Sequence, residues 1–225
     1  MNRFDFPDPE TCAAALADAL GAAVADALSR KPRVTLALSG GRSPENVLPL
    51  LAAQKIDWAR VDVTLVDDRR VAAGDPASNA GLVERCFLRR GAAAAAFVPI
   101  WTDATSPGGA LAGADQRLKA ILPADVAYLG MGPDGHIASL FPSASPEKFE
   151  RDGSAVILSE APSAPHGRIS LTLAELTRIS KLFLHVTGTA KMEALEQALS
   201  NPPTPMLPVS LLLHARPDLE TIVCE

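Results

Sequence analysis

Four short apolar runs constrain this chain more than any other feature: Arg33–Leu38, Val61–Val66, Asp125–Leu129 and Lys181–Val186. A strand with one wet face alternates apolar and polar residues. Arg33–Leu38 does not alternate, which fits a strand buried on both faces of a parallel sheet. Helical patterns fall between the four runs. Asp8 and Pro9 read as an N-cap and first helical residue, and Leu16, Leu20, Val24 and Leu28 recur every four residues, which predicts a helix over residues 9–30. Further helices are expected over 45–53, 78–88, 109–122, 173–179, 189–199 and 208–214, and further strands at 97–100, 155–158, 168–172 and 221–224. Strands alternating with helices imply an α/β fold, a three-layer αβα arrangement around a mostly parallel, doubly wound, Rossmann-like sheet.

The 225 residues, 48% of them hydrophobic, suffice to bury a full core as one domain over 1–225, and neither a repeat nor a long linker divides them. The alanine tract 92–96 is assigned no function, and Asn201–Pro208 reads as a rigid loop because its prolines cannot join a ladder. A net charge of −5 argues against a nucleic-acid partner, although an acidic protein still binds an anion where basic groups converge. No window reaches the roughly 18 apolar residues of a membrane span, and the first residues lack a signal core. Cys12, Cys86 and Cys224 are far apart in sequence, without metal-ligand or redox spacing, and are expected to be buried, reduced thiols. The expectation is a soluble, cytoplasmic protein with no membrane partner, taken as a monomer or weak homodimer.

In sheets of this kind, ligands bind beyond the C-terminal strand ends. Ser39–Ser43, Asp67–Arg70 and Gly130–His136 all follow such ends and could share one crevice. The last lies in the most informative stretch, Leu129-Gly-Met-Gly-Pro-Asp-Gly-His-Ile-Ala-Ser-Leu-Phe-Pro142. Its glycines, Gly130, Gly132 and Gly135, let the backbone bend sharply and let a ligand come close. Histidine side chains titrate near neutrality, at about 6.5 in model peptides. An imidazole at His136 is therefore a candidate general base, with Asp134 as its orienting acid. The bland alternative is a ring satisfying a turn carbonyl. The same residues spell G-x-G-x-x-G, but a dinucleotide fingerprint sits on the first strand of a βαβ unit, opens a helix and has an acid about 20 residues further on. Here the motif follows roughly the fourth strand, Glu147 and Glu150 lie in a polar loop-like stretch, and Pro133 removes an N–H. We reject the dinucleotide reading.

Ser39-Gly-Gly-Arg-Ser43 sits between a strand and a helix. Gly40 and Gly41 open the backbone so that N–H groups and a helix N-terminus can face an anion, while Ser39 and Ser43 add hydroxyls. It lacks the Gly-Lys-Ser/Thr ending of a Walker loop, and alone it is equally an ordinary tight turn. Arg69 could hold a phosphate, a carboxylate or a developing oxyanion, with Asp67 orienting it or binding a sugar hydroxyl. Taken alone, that cluster reads as solvated charge. Arg168 starts an apolar strand and Lys191 lies on a first helical turn, so either could reach an anion in the crevice. His166, His185 and His214 are read as structural, and no pair of histidines has metal-ligand spacing. No G-x-S-x-G elbow is present, which points to direct water attack rather than a serine nucleophile.

These pieces together resemble the 6-phosphogluconolactonase family, in the superfamily that includes glucosamine-6-phosphate deaminase. The matching segments are Leu38–Pro44, Asp67–Arg69, Ser78-Asn79, Gly130–Pro142, Arg168–Leu171 and Gly188–Lys191, in family order over most of the chain. Asp68 departs from the glutamate more often found there. Ala138-Ser-Leu-Phe141 replaces the deaminases' Phe-Asn-Glu-Pro continuation, which favours the lactonase branch. The resemblance implies hydrolysis of 6-phospho-D-glucono-1,5-lactone to 6-phosphogluconate in the oxidative pentose phosphate pathway, with a phosphosugar lactone as partner and no metal or organic cofactor. His136, with Asp134, would activate water and then protonate the leaving ring oxygen. Arg69 would stabilise charge at the carbonyl or bind substrate. Ser39, Gly40, Gly41, Arg42 and Ser43, with Asp67, Asn79, Gly132, Arg168 and Lys191, would hold the substrate and its phosphate. The rivals are a sugar-phosphate isomerase or deaminase on the same fold and a non-catalytic sugar-phosphate sensor.

Overall fold

The computed structural model describes residues 2–102, 106–162 and 167–224, so His166 lies outside the described residues. In chain order the elements are β1 (Asn2–Phe6), α1 (Pro9–Arg30), β2 (Val34–Leu38), α2 (Arg42–Ala52), β3 (Val61–Leu65), β4 (Asp67–Arg69), α3 (Asn79–Val83), β5 (Ala96–Phe97) and α4 (Pro107–Leu118). There follow β6 (Val126–Gly130), β7 (Val156–Glu160), β8 (Gly167–Leu171), α5 (Leu173–Arg178), β9 (Lys181–Thr187), α6 (Thr189–Ser200), α7 (Pro208–Ala215) and β10 (Glu220–Cys224). Among the described residues a parallel sheet runs in the order β1-β10-β9-β6-β2-β3-β5. Every residue of β2 is buried, as an unalternating apolar run requires.

Helix α1 shows how sequence makes an element and seats it. Asp8 accepts the backbone N–H groups of Glu10 and Thr11 at 2.9 Å, a cap worth about 1 kcal/mol. Leu16, Leu20 and Val24 are fully buried, and each such side chain contributes roughly 1.5–3 kcal/mol. That stripe packs on β6, β9 and β10. By length and composition alone α1 is apolar enough to cross a membrane, which corrects the expectation that no span-length apolar window exists. The packing of its stripe accounts for that composition.

Several boundaries differ from expectation. Strand β1 is an addition, and α2 begins at Arg42. The helix expected over 78–88 divides into α3 and a π-helical turn, Glu84–Leu88, and the strand expected at 97–100 is only β5. The largest correction concerns Asp67–Arg70. The main sheet ends at Leu65, and Val66 then bridges two layers, donating to Leu38 O at 3.0 Å while its own carbonyl accepts from Leu171 N–H at 2.8 Å. Beyond it, β4 joins a second, antiparallel sheet in the order β4-β8-β7.

The strand order fixes where a ligand goes. From β2 the chain builds outward through β3 and β5, then returns to β6 on the other side of β2 and continues through β9 and β10. The reversal lies between β2 and β6, which pair directly, Leu38 opposite Tyr128. In doubly wound sheets the crevice outside the carboxyl ends of such a strand pair is the ligand site.

Candidate active site

At that crevice Ser39, Gly40, Gly41, Arg42, Ser43, Asp67, Arg69, Asn79, Gly132, His136, Arg168 and Lys191 line one cleft of about 330 Å³. Asp134 reaches it through His136. Tyr128, Ser139 and Phe141 also line the cleft, and sequence reasoning gave them no role there. The loops after β2 and β6 are stitched together where Ser39 Oγ accepts the Gly130 N–H at 3.1 Å.

The glycine turn folds on itself. Gly135 N–H donates to Gly132 O at 3.0 Å, and Gly132 N–H donates to His136 O at 2.9 Å. Short bridges, Met131 to Ile137 and Ile137 to Leu140, follow instead of a helix, against a dinucleotide site. Asp134 Oδ1 lies 2.6 Å from His136 Nδ1 and also accepts the His136 backbone N–H at 3.3 Å. A carboxylate on Nδ1 fixes that nitrogen as the N–H donor and leaves Nε2 as the free base. Burial would raise the Asp134 carboxyl, but the hydrogen bonds and charge of His136 outweigh it and hold it below its ordinary value. The imidazole packs against Phe141, centroids 4.9 Å apart, and its side chain keeps 30% exposure. Gly132 is required here: a Cβ would stand 2.1 Å from His136 Cε1. Gly135 has φ +76°, a conformation glycine favours. Its carbonyl accepts Val209 N–H at 2.9 Å. Val209 thereby supports the glycine turn, and Leu207, of the Pro-rich loop, lies against it, since a Cβ on Gly135 would stand 2.2 Å from Leu207 Cδ1; composition did not show this role.

A second part of the cleft gathers groups that could hold an anion. Helices α2 and α6 start after Gly41 and Gly188, and neither has a side-chain cap. Their first N–H groups and positive dipole ends are therefore free of side-chain acceptors. Ser43 Oγ and Thr187 Oγ1, 3.3 Å apart, join the two ends. Lys191 sits on the first turn of α6, where a cation opposes the dipole. Its pKa is lowered by burial first and by the charge of Arg42 second. Cations held in so unfavourable a setting are neutralised best by a bound anion. Gly40 is pressed against Asn79, since a Cβ would stand 1.9 Å from Asn79 Oδ1, and the Asn79 amide donates to Asp67 O at 2.9 Å.

The second sheet adds another cationic pair. Antiparallel register sets Arg69 opposite Arg168, and like charges so placed destabilise a ladder. Burial, then the charge of Arg69, lowers the pKa of Arg168. Arg69 is steadied by donating to Ala77 O at 2.5 Å. Asp67 accepts from Ser139 Oγ at 2.5 Å. Burial raises its pKa against the opposing pull of Ser139, Arg69, His136 and Arg168. Asp68 has another task. It accepts the N–H groups of Arg69 and Asn79 at 2.7 Å and of Ala80 at 3.1 Å, anchoring the start of α3, and burial pushes it up to about 6. The departure from the family's glutamate thus falls on a structural group.

His185, buried as expected of a structural residue, also lines the cleft; burial pushes its imidazole down to about 4. His214 is exposed. Cys86 is half-buried rather than buried, whereas Cys12 and Cys224, remote in sequence, are buried side by side with His185.

Residues 7–222 match the family model described as glucosamine-6-phosphate isomerases/6-phosphogluconolactonase. A 6-phosphogluconolactonase from Mesorhizobium japonicum is 39% identical, covering 94% of this chain and 90% of that protein. A solved chain from Neisseria gonorrhoeae has a TM-score of 0.91 at 33% identity, with 100% of both chains covered. A solved 6-phosphogluconolactonase from Shewanella baltica has a TM-score of 0.88 at 29% identity, covering 100% of this chain and 97% of its own. With the motifs in family order and their residues gathered in one cleft, the chain belongs to the glucosamine-6-phosphate isomerase/6-phosphogluconolactonase family.

Proposed function

We propose that this protein hydrolyses 6-phospho-D-glucono-1,5-lactone to 6-phosphogluconate in the cytoplasm, as the lactone-opening step of the oxidative pentose phosphate pathway. One observation carries the reading: the Asp134–His136 pair, 2.6 Å apart, opens onto the same cleft as Arg42 and Lys191. His136 Nε2 takes a proton from water as the oxygen attacks the lactone carbonyl carbon. The resulting tetrahedral oxyanion collapses, the ring C–O bond breaks, and the imidazolium returns its proton to the leaving oxygen. Asp134 stabilises the imidazolium between these steps. Arg69 faces the carbonyl end and stabilises the oxyanion. The Ser39–Ser43 loop, Lys191 and Arg168 hold the phosphate. Side chains and water carry every step.

The deaminase-type continuation of this turn carries a glutamate, and no carboxylate stands at Ser139-Leu140-Phe141 here. Ser139 is instead engaged by Asp67, and Phe141 packs on the base. The test measures turnover of freshly made lactone, corrected for spontaneous opening, beside ammonia release from glucosamine 6-phosphate. Lactone turnover above the spontaneous rate is expected. Ammonia release without it, or ligand binding with neither activity, overturns the proposal.

A further inference from the structure

We propose that Cys12, His185 and Cys224 form a binding site for a thiophilic metal ion of the Zn²⁺ type, beneath the floor of the catalytic cleft. The topology assembles it from three elements. His185 lies on β9 and pairs in register with Ile222 of β10, two residues before Cys224, so His185 and Cys224 share a sheet face. Helix α1 packs against both strands and brings Cys12 to them. All three residues are buried, and their ligand atoms lie within 4.8 Å of one another.

The distances and chemistry fit such an ion. Cys12 Sγ is 3.3 Å from His185 Nε2. Tetrahedral zinc, with Zn–S about 2.3 Å and Zn–N about 2.0 Å, sets an S···N edge of about 3.5 Å. The other ring nitrogen, Nδ1, is 3.1 Å from Tyr128 Oη, the kind of outer partner that orients a ligating imidazole. Two sulfurs and one imidazole select soft ions over Mg²⁺ or Ca²⁺, which take oxygen ligands. A cavity of about 430 Å³, lined by Asp5, Phe6, Pro7, Met192 and Val223, reaches Cys224 and gives the ion a path. Binding displaces both thiol protons, forms two thiolate bonds and one imidazole bond, and involves no change of oxidation state. Three protein ligands leave one position for water.

The experiment titrates the untagged, reduced, full-length protein with Zn²⁺ against a chromophoric chelator, and in parallel with Co²⁺, following thiolate-to-metal absorption. One equivalent per chain is expected, with the cobalt–thiolate band. Affinity should fall by about tenfold or more in Cys12→Ala and in Cys224→Ala and stay unchanged in Cys86→Ala. A second readout needs no variant: Zn²⁺ should shield Cys12 and Cys224, but not Cys86, from alkylation mapped by peptide mass. Absence of stoichiometric binding, binding retained in both variants, or no shielding overturns the proposal. So does a resident Cys12–Cys224 disulfide in the protein as isolated, since it removes both sulfur ligands.

Discussion

Replacing Gly132 by alanine separates the proposed catalytic pair, Asp134 and His136, from the fold that carries it. The added Cβ would stand 2.1 Å from His136 Cε1, 2.2 Å from Nδ1 and 2.7 Å from Asp134 Oδ1. Unbonded carbons rest about 3.5–4.0 Å apart, so the imidazole must retreat by more than about 1 Å and leave its 2.6 Å contact with Asp134. A misplacement of about 1 Å at a reacting group costs on the order of 10²-fold. Loss of a general base costs about 10²–10⁴-fold. Gly132→Ala should therefore lower kcat by at least about 10²-fold, or about 2.7 kcal/mol of transition-state stabilisation. Stability should hardly change, because the ring is partly exposed and can swing outward. A partly exposed ion pair is worth about 1 kcal/mol at most, or about 2–4 °C in Tm for a chain of this size. Steady-state kinetics on fresh lactone and a thermal melt read the two quantities separately. A variant with kcat within about threefold of wild type would refute the reasoning, because a displacement of that size cannot be so cheap.

The two cationic regions should separate kinetically. Lys191→Ala should raise KM by about 10–100-fold, the size of a lost charged hydrogen bond, with kcat little changed, whereas Arg69→Ala should act mainly on kcat; the opposite pattern would exchange their roles. Gly40→Ala, whose Cβ would meet Asn79 Oδ1 at 1.9 Å, should cost about 1–3 kcal/mol by overpacking, and an unchanged Tm would contradict that packing. His185, down at about 4 from its ordinary 6.5, stays neutral in the folded state where the unfolded chain takes up a proton. Metal-free protein should accordingly keep this stability above pH 6.5 and lose on the order of 3 kcal/mol of it as pH falls to about 4. Denaturant unfolding at several pH values should show that loss as the difference between wild type and His185→Gln, because Asp68, pushed up to about 6, gains stability over the same range in both proteins.

The layered fold was legible because burial on both faces leaves a plain mark: β2, β6 and β9 are apolar without regular alternation, and α1 carries its stripe at helical spacing. The cleft was legible because glycines and polar residues follow strand ends, where a doubly wound sheet places ligands. The second sheet was not. Asp67-Asp68-Arg69 has no apolar pattern, and only pairing with β8, remote in sequence, makes it a strand. The same pairing sets Arg69 against Arg168, which no local spacing announces. The capping role of Asp68 depends on where α3 begins, and boundaries are the least certain part of a sequence reading. Cys12 and Cys224 lie near opposite ends of the chain and meet only because α1 packs across β9 and β10. The composition of α1 resembles a membrane span, and only its packing distinguishes it.

In the proposed reaction His136 carries both proton transfers. The direct measurement is kcat of His136→Ala on freshly prepared 6-phosphogluconolactone, with spontaneous opening subtracted and folding verified by its melt. A fall of about 10²–10⁴-fold with KM little changed is predicted. A kcat within about tenfold of wild type would contradict the assignment of His136 as the base.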